Sequence, residues 1–174
     1  MKPGGAKQKG AQFELDIAKL FTKEFKIPVR RCPNSGGWAT SGKKEGMSSG
    51  LLSGDLTCED TTWPFGVECK KQEKVWTLEA ILNNSCKVFV DWWLQCVRDA
   101  TNCRKIPLLV FSRNFVGVFV ATRREAFDTL PPNVLIVSVA GGEVYVVTLD
   151  VWLQCRKVWI PASPITPPLF SEKK

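Results

Sequence analysis

The residues most able to do chemistry lie in V-E-C-K at 67–70. In a strand, residues two apart share a face, so Glu68 and Lys70 stand side by side while Val67 and Cys69 point the other way. A carboxylate and an ammonium roughly 7 Å apart can hold a metal ion and a phosphate next to each other. An isolated E-x-K is also what a solvated, exposed strand carries. Asp55 stands thirteen residues before Glu68, directly after S-G, at the start of what reads as the adjacent strand. Two carboxylates with water make a Mg²⁺ or Mn²⁺ site; the other reading of Asp55 is a turn residue after Gly54. Glu14 adds a third carboxylate. At about 100° per residue it falls inside the apolar sector of Phe13, Ile17, Phe21 and Phe25. A buried, unpaired carboxylate is expensive, so Glu14 needs a cation to meet, unless it is a first-turn acid favoured by the helix dipole.

There is no histidine in the chain. That excludes Ser-His-Asp and Cys-His catalysis, imidazole bases and every His-containing zinc site. Three carboxylates and a lysine without histidine suit metal-assisted hydrolysis of a phosphodiester, in which the metal lowers the pKa of its water and neutralises the scissile phosphate. Lys70 can orient or help deprotonate that water and can stabilise the charge of the pentacovalent oxygens.

The elements that must position these residues follow from periodicity. Phe13, Ile17, Leu20, Phe21 and Phe25 recur at helical spacing from Gly10 to Lys26, with Asp16, Lys19, Lys23 and Lys26 opposite, and Pro28 ends that helix. Val29–Cys32 reads as a short strand. A Gly/Ser-rich loop fills 33–54, and loops of that length are either functional or disordered. Asp55–Cys58 and Gly66–Lys70 read as two strands around a turn at Thr61–Pro64. Residues 77–102 are helical in two pieces, interrupted near Asn83–Ser85, with Phe89, Trp92, Trp93, Cys96 and Val97 at core spacing. Leu108–Phe111 is a strand buried on both faces. A strand at Val116–Ala121 and a short helix at Arg123–Leu130 follow. Beyond Pro131-Pro132, Val134–Ala140 and Glu143–Thr148 form a hairpin around Gly141-Gly142, and Asp150 caps a short helix carrying Trp152. The order predicts an α/β domain with a mixed central β-sheet flanked by helices and an added C-terminal β-hairpin and short helix. Its divisions are a flexible basic arm at 1–9, a core at 10–130, the hairpin and helix extending it at 131–160, and a Pro-rich tail at 161–174.

The 174 residues amount to one domain with ample aromatic content for a core. Charge is +7 and unevenly placed: residues 1–31 hold eight Lys/Arg against three acids, and 81–113 hold five against two. Concentrated positive charge points to a phosphate-rich partner, or serves solubility alone. Seven cysteines, an odd number without a C-x-x-C pair, read as reduced thiols. No apolar run approaches the ~18 residues of a membrane span, and no apolar signal segment follows the basic N-terminus. The expectation is an intracellular protein without a membrane partner.

The order K-G-A-Q-F-E (9–14), S-G-D (53–55), V-E-C-K (67–70) resembles the PD-(D/E)xK nuclease superfamily. Within it the chain is most similar to Holliday-junction resolvases of archaeal type and their phage relatives, which open with a basic residue and Gly, here Lys9 and Gly10, and a Glu four positions on, here Glu14. W-W-L-Q-C-V-R-D-A and I-P-L-L-V-F, within 92–111, resemble the helix and strand that follow the catalytic strands in such enzymes. The resemblance covers roughly residues 9–120. It implies a restriction-endonuclease-like core and a Mg²⁺-dependent (Mn²⁺ substituting) endonuclease that acts as a homodimer on branched or four-way DNA. On matching positions, Asp55, Glu68 and the Cys69 backbone carbonyl are metal ligands, Lys70 is the catalytic lysine, Glu14 approaches the metal through water, and Lys9 lies near phosphate. The family's loop serine before the Asp is matched by both Ser49 and Ser53. Lys7, Lys43, Lys44 and Lys71 are further candidates for DNA phosphate, although Lys43-Lys44 equally keep their loop solvated. Two departures bear on the substrate: Leu15 stands where a basic residue often follows the first Glu, and 133–160 have no counterpart.

Other residues keep two readings. Gln95 touches DNA or the metal water, or is a polar helix residue. Trp38 and Trp63 stack on unpaired bases or pack their loops. Trp76, Trp92, Trp93, Trp152 and Trp159 belong to core or a subunit contact. Two further functions remain open: a restriction-type, branched-DNA or nicking enzyme of the same superfamily, and a non-catalytic DNA-binding module.

Overall fold

The structure is a computed structural model that describes residues 5–32, 54–60, 62–72 and 76–158, with the side chains of 8 onwards. Helix α1 spans Gly5–Phe25, and strands β1 (Val29–Arg31) and β2 (Leu56–Cys58) pair antiparallel as a small separate sheet. Strand β3 (Phe65–Lys71) leads through helices α2 (Leu78–Leu82) and α3 (Lys87–Asn102) to the parallel strand β4 (Ile106–Arg113), the crossover that parallel pairing requires. Strands β5 (Gly117–Thr122), β6 (Leu135–Val139) and β7 (Gly142–Thr148) and helix α4 (Leu149–Cys155) complete the chain. The five-stranded sheet has the order β3-β4-β5-β7-β6 and is mixed: β3–β4 parallel, the remaining pairs antiparallel.

The period of two along β4 builds a core on each side of this sheet. Leu108 and Val110 face α1, the small sheet and α4, where they join Phe13, Ile17, Phe21, Phe25, Trp63, Phe65, Val67 and Trp152. Leu109 and Phe111 face α2 and α3, among Trp76, Phe89, Trp92, Trp93 and Cys96. Phe25, Trp63, Phe65 and Trp152 meet edge to face or tilted with centroids 4.7–6.2 Å apart, a favoured aromatic geometry. Trp63 is therefore core, 1% exposed, and does not present its ring to a base. Trp76, Trp92, Trp93 and Trp152 are buried as well. Trp38 and Trp159 lie outside the described residues, as do Lys43, Lys44, Ser49, Ser53 and the 161–174 tail.

Several local expectations are corrected. Helix α1 begins at Gly5 instead of Gly10, because Ala6-Lys7-Gln8-Lys9 are all strong helix formers and outweigh the glycines around them. The expected helix at Arg123–Leu130 shrinks to one 3-10 turn at Arg124–Ala126. Phe127 leaves it to pair with Arg156 in an isolated antiparallel bridge and to bury its ring. Thr148, not Asp150, is the N-cap of α4, and Asp150 lies in its first turn. The β6–β7 turn centres on Ala140-Gly141 (φ 51° and 81°), with Val139 paired to Gly142. Two positive φ values match the twist that a two-residue hairpin needs. The hairpin supplies two of the five strands of the central sheet, with β7 seated between β5 and β6. All seven cysteines are free, five of them buried, and no described helix is long and apolar enough to cross a membrane.

Candidate active site

Strand β3 is an edge of the central sheet, and its open side is met by Gly54 and Asp55. The expected pair of adjacent strands around a turn is replaced by a different arrangement: β2 pairs with β1, and only Gly54 makes a parallel bridge, to Val67. The Asp55 N–H donates to the Val67 carbonyl at 2.7 Å, and the Cys32 N–H donates to the Asp55 carbonyl at 2.8 Å, tying the small sheet to β3. Gly54 is required here. Its φ is +80°, and a Cβ would lie 2.1 Å from the Val67 carbonyl oxygen.

This approach carries the Asp55 carboxylate onto β3, where its Oδ2 accepts from the Cys69 N–H at 2.9 Å. In a strand the N–H and C=O of one residue point to the same side, as the paired bonds of a ladder show. The Cys69 carbonyl therefore also faces the edge that Asp55 covers. Glu68 points instead toward α3. Its Oε1 is 2.6 Å from Lys70 Nζ and accepts from Gln95 Nε2 at 2.8 Å, while Lys70 Nζ donates to Gln95 Oε1 at 3.2 Å. Glu68, Lys70 and Gln95 thus form a closed triangle. Alternation on β3 holds: Val67 and Cys69 enter the α1-side core while Glu68 and Lys70 take the other face.

Asp55 and Glu68 are 5% and 3% exposed. Burial, reinforced by the negative charge of Glu68 and opposed by the Cys69 N–H, pushes the Asp55 carboxyl up to about 7. Burial also raises Glu68, although the Lys70 charge pulls the other way. Lys70 is raised: burial works against its charge, but Glu68 and its hydrogen bond, with Asp55 behind them, outweigh it. Two buried carboxylates facing one ammonium leave an excess of negative charge, which a divalent cation would neutralise. The oxygens offered are hard ones: Asp55, Glu68 and the Cys69 carbonyl. Among the described residues no three His, Cys, Asp or Glu side chains gather closely enough to hold a metal ion. The donor set fits Mg²⁺, which accepts one or two carboxylates and keeps several waters.

Glu14 meets the cation that its burial calls for: the Arg31 Nε donates to Glu14 Oε2 in an ion pair. Its charge is still felt at Asp55, Glu68 and Cys69, so α1 and β1 flank the same cluster. Sequence reasoning counted Arg31 only as basic charge. The available signal was its position one residue before Cys32, at the end of a strand, with an inward-facing Glu on the preceding helix. Gln95 contacts Glu68 and Lys70, a third role beside the two readings of it as a DNA or metal-water contact and as a polar helix residue. Lys9 is exposed on α1, and Lys71 is exposed with its Nζ 5.6 Å from the Phe13 ring centroid. The Lys7 side chain is outside the described residues.

A family model described as "Phage putative PDDEXK endonuclease" matches residues 5–161, which include the β6–β7 hairpin. No curated protein matches the sequence. Among solved structures, the chain is similar to Hjc of Archaeoglobus fulgidus, a Holliday junction resolvase from an archaeal hyperthermophile. Identity is 11%, coverage is 84% of this chain and 89% of that one, and the TM-score is 0.40.

Proposed function

Starting from the fact that this chain belongs to the phage PDDEXK endonuclease family, and is a nuclease of that type, we propose that it is a Mg²⁺-dependent, structure-selective DNA endonuclease that resolves four-way junctions by paired nicks. The observation that supports the chemistry is the pairing of Asp55 with the Cys69 N–H at the open edge of β3 and of Glu68 with Lys70 on the α3 face of the same strand, near enough for the Glu68 charge to act on Asp55. The branched substrate rests on the K-G-A-Q-F-E, S-G-D and V-E-C-K resemblance and on the concentration of basic residues in 1–31.

In this reading Asp55, Glu68 and the Cys69 carbonyl would hold Mg²⁺, with Mn²⁺ able to replace it, and Glu14, paired with Arg31, would act on it through water. An ion bound there would supply an acidified water and neutralise charge on the scissile phosphate. Lys70 keeps its proton because Glu68 faces it, which favours orienting water and stabilising phosphoryl charge over abstracting a proton. Gln95 holds both members of that pair in one geometry by donating to Glu68 and accepting from Lys70. Lys9 and Lys71, with Lys7, Lys43, Lys44, Ser49 and Ser53, are assigned to backbone phosphate, where contacts position the duplex without reading sequence.

A four-way junction requires two symmetric cuts and the described residues of one chain hold one such cluster, so the acting species is a twofold homodimer. Incubating the purified chain with Mg²⁺ and a labelled four-way junction tests the proposal. Paired symmetric nicks that require Asp55 and Lys70 support it. Absence of nicks, or nicks that survive Asp55→Asn and Lys70→Ala, rejects it. Equal or faster cutting of plain duplex would reassign the substrate to a restriction-type reaction.

A further inference from the structure

The turn between β4 and β5 carries an aromatic residue that the fold does not use. Phe115 is fully exposed, so its ring packs against none of the described residues. Its backbone is in the left-handed region, φ 65°. The Val116 N–H donates to the Arg113 carbonyl at 3.4 Å, which makes Phe115 the third residue of a four-residue turn. A positive φ at that position is the type II requirement, met by Gly or Asn. Here the Asn is one residue earlier, at 114, and a bulky aromatic occupies the strained place. A large side chain with positive φ is an outlier that points to function.

Its location supplies the function. Strands β3 and β4 are parallel, so they end on the same side of the molecule: Lys70 pairs with Phe111 and Lys71 with Ser112. Phe115 follows three residues after Ser112, no more than about 10 Å beyond the Lys71 row at ~3.3 Å per residue. That is roughly three base-pair steps of duplex at 3.4 Å each. The base of the turn is anchored, because the Arg113 guanidinium lies 5.5 Å from the centroid of the buried Trp76 ring and Arg113 pairs with Gly117.

We infer that Phe115 is a stacking contact for an unstacked base of the DNA substrate, close to a branch point and on the same rim as Lys70. The inference rests on the reading of the chain as a branched-DNA nuclease and adds the element that tells a branch from a continuous duplex. An exposed aromatic face has no partner in a fully stacked helix but takes any base that has left its stack.

The test is equilibrium binding of the full chain, in EDTA so that nothing is cut, to a four-way junction with 2-aminopurine at the branch and to a duplex of matched sequence. Phe115→Asn suits the left-handed backbone, so its melting temperature should not fall below that of the parent chain. It should lose about 5- to 150-fold in junction affinity, the range of one base–aromatic stack. The junction-to-duplex ratio and the 2-aminopurine signal should fall with it, and Phe115→Trp should restore both. An Asn variant that binds the junction as tightly as the parent chain overturns the inference while leaving the nuclease reading intact. So does one that weakens both DNAs equally, or one whose only defect is loss of dimer. A parent chain that binds neither DNA brings down the branched-substrate reading and the inference together.

Discussion

Asp55→Asn should make the metal-free protein more stable at alkaline pH while removing its metal-binding capacity. The Asp55 carboxyl is raised from 3.8 to about 7 by burial and by the Glu68 charge. The folded state therefore holds its proton more tightly than the unfolded chain does. The associated stability is fully present below pH 3.8 and is lost as pH rises through about 7. About three pH units at 1.36 kcal/mol each amount to ~4 kcal/mol. The Asn side chain carries no charge at any pH, and its oxygen can still accept from the Cys69 N–H. Without metal, the variant should match the parent chain near pH 4 and exceed it by up to ~4 kcal/mol at pH 8, a rise in melting temperature on the order of 10 °C for a chain of this size. The window is free of histidine, which would otherwise titrate across it. Thermal melts in EDTA from pH 4 to 8 measure the difference, and Mg²⁺ should then stabilise the parent chain but not the variant. A parent chain whose stability is flat from pH 4 to 8, or a variant less stable than the parent at pH 8, would refute the reasoning.

Removing Lys70 as Lys70→Met leaves Glu68 buried beside Asp55 without its ammonium. Stability at pH 8 should drop by about 3 kcal/mol, with a smaller loss as the pH falls, because burial raises the Glu68 carboxyl and eases its protonation, and cleavage should fall at least ~100-fold; urea titrations across the pH range and single-turnover nicking read both effects. Gly54→Ala forces a Cβ into the Val67 carbonyl and should cost about 3 kcal/mol or more, with metal affinity in calorimetry falling as Asp55 is displaced from Cys69; a variant that melts with the parent chain would show that the backbone yields there. Gln95→Leu keeps the half-buried position filled but removes the two hydrogen bonds that hold the Glu68–Lys70 pair in one geometry. A loss of about 10- to 100-fold in cleavage or metal affinity is expected, and unchanged values would reduce Gln95 to a polar residue of its helix.

Donor types and short-range periodicity were legible without coordinates. An absent histidine is a fact of composition. Period-two alternation separated Glu68 and Lys70 from Val67 and Cys69, and the helical period placed Glu14 on the apolar side of α1. These are local properties: a strand or helix imposes its spacing on whatever side chains it carries. Boundaries governed by competition between neighbours, such as the start of α1 and the remnant helix at Arg124–Ala126, did not follow from pattern alone.

Tertiary structure alone decided which of those side chains meet. Asp55 reaches Cys69 through a single parallel bridge, not through an adjacent strand of one hairpin. Gln95 comes to Glu68 from 27 residues away, and Arg31 comes to Glu14 from 17. The order that seats β7 between β5 and β6 makes the hairpin two of the five strands of the sheet instead of an addition to it. Each of these depends on how separate elements stack over two cores, and burial between distant segments is set by the whole packing, which no spacing within one segment encodes.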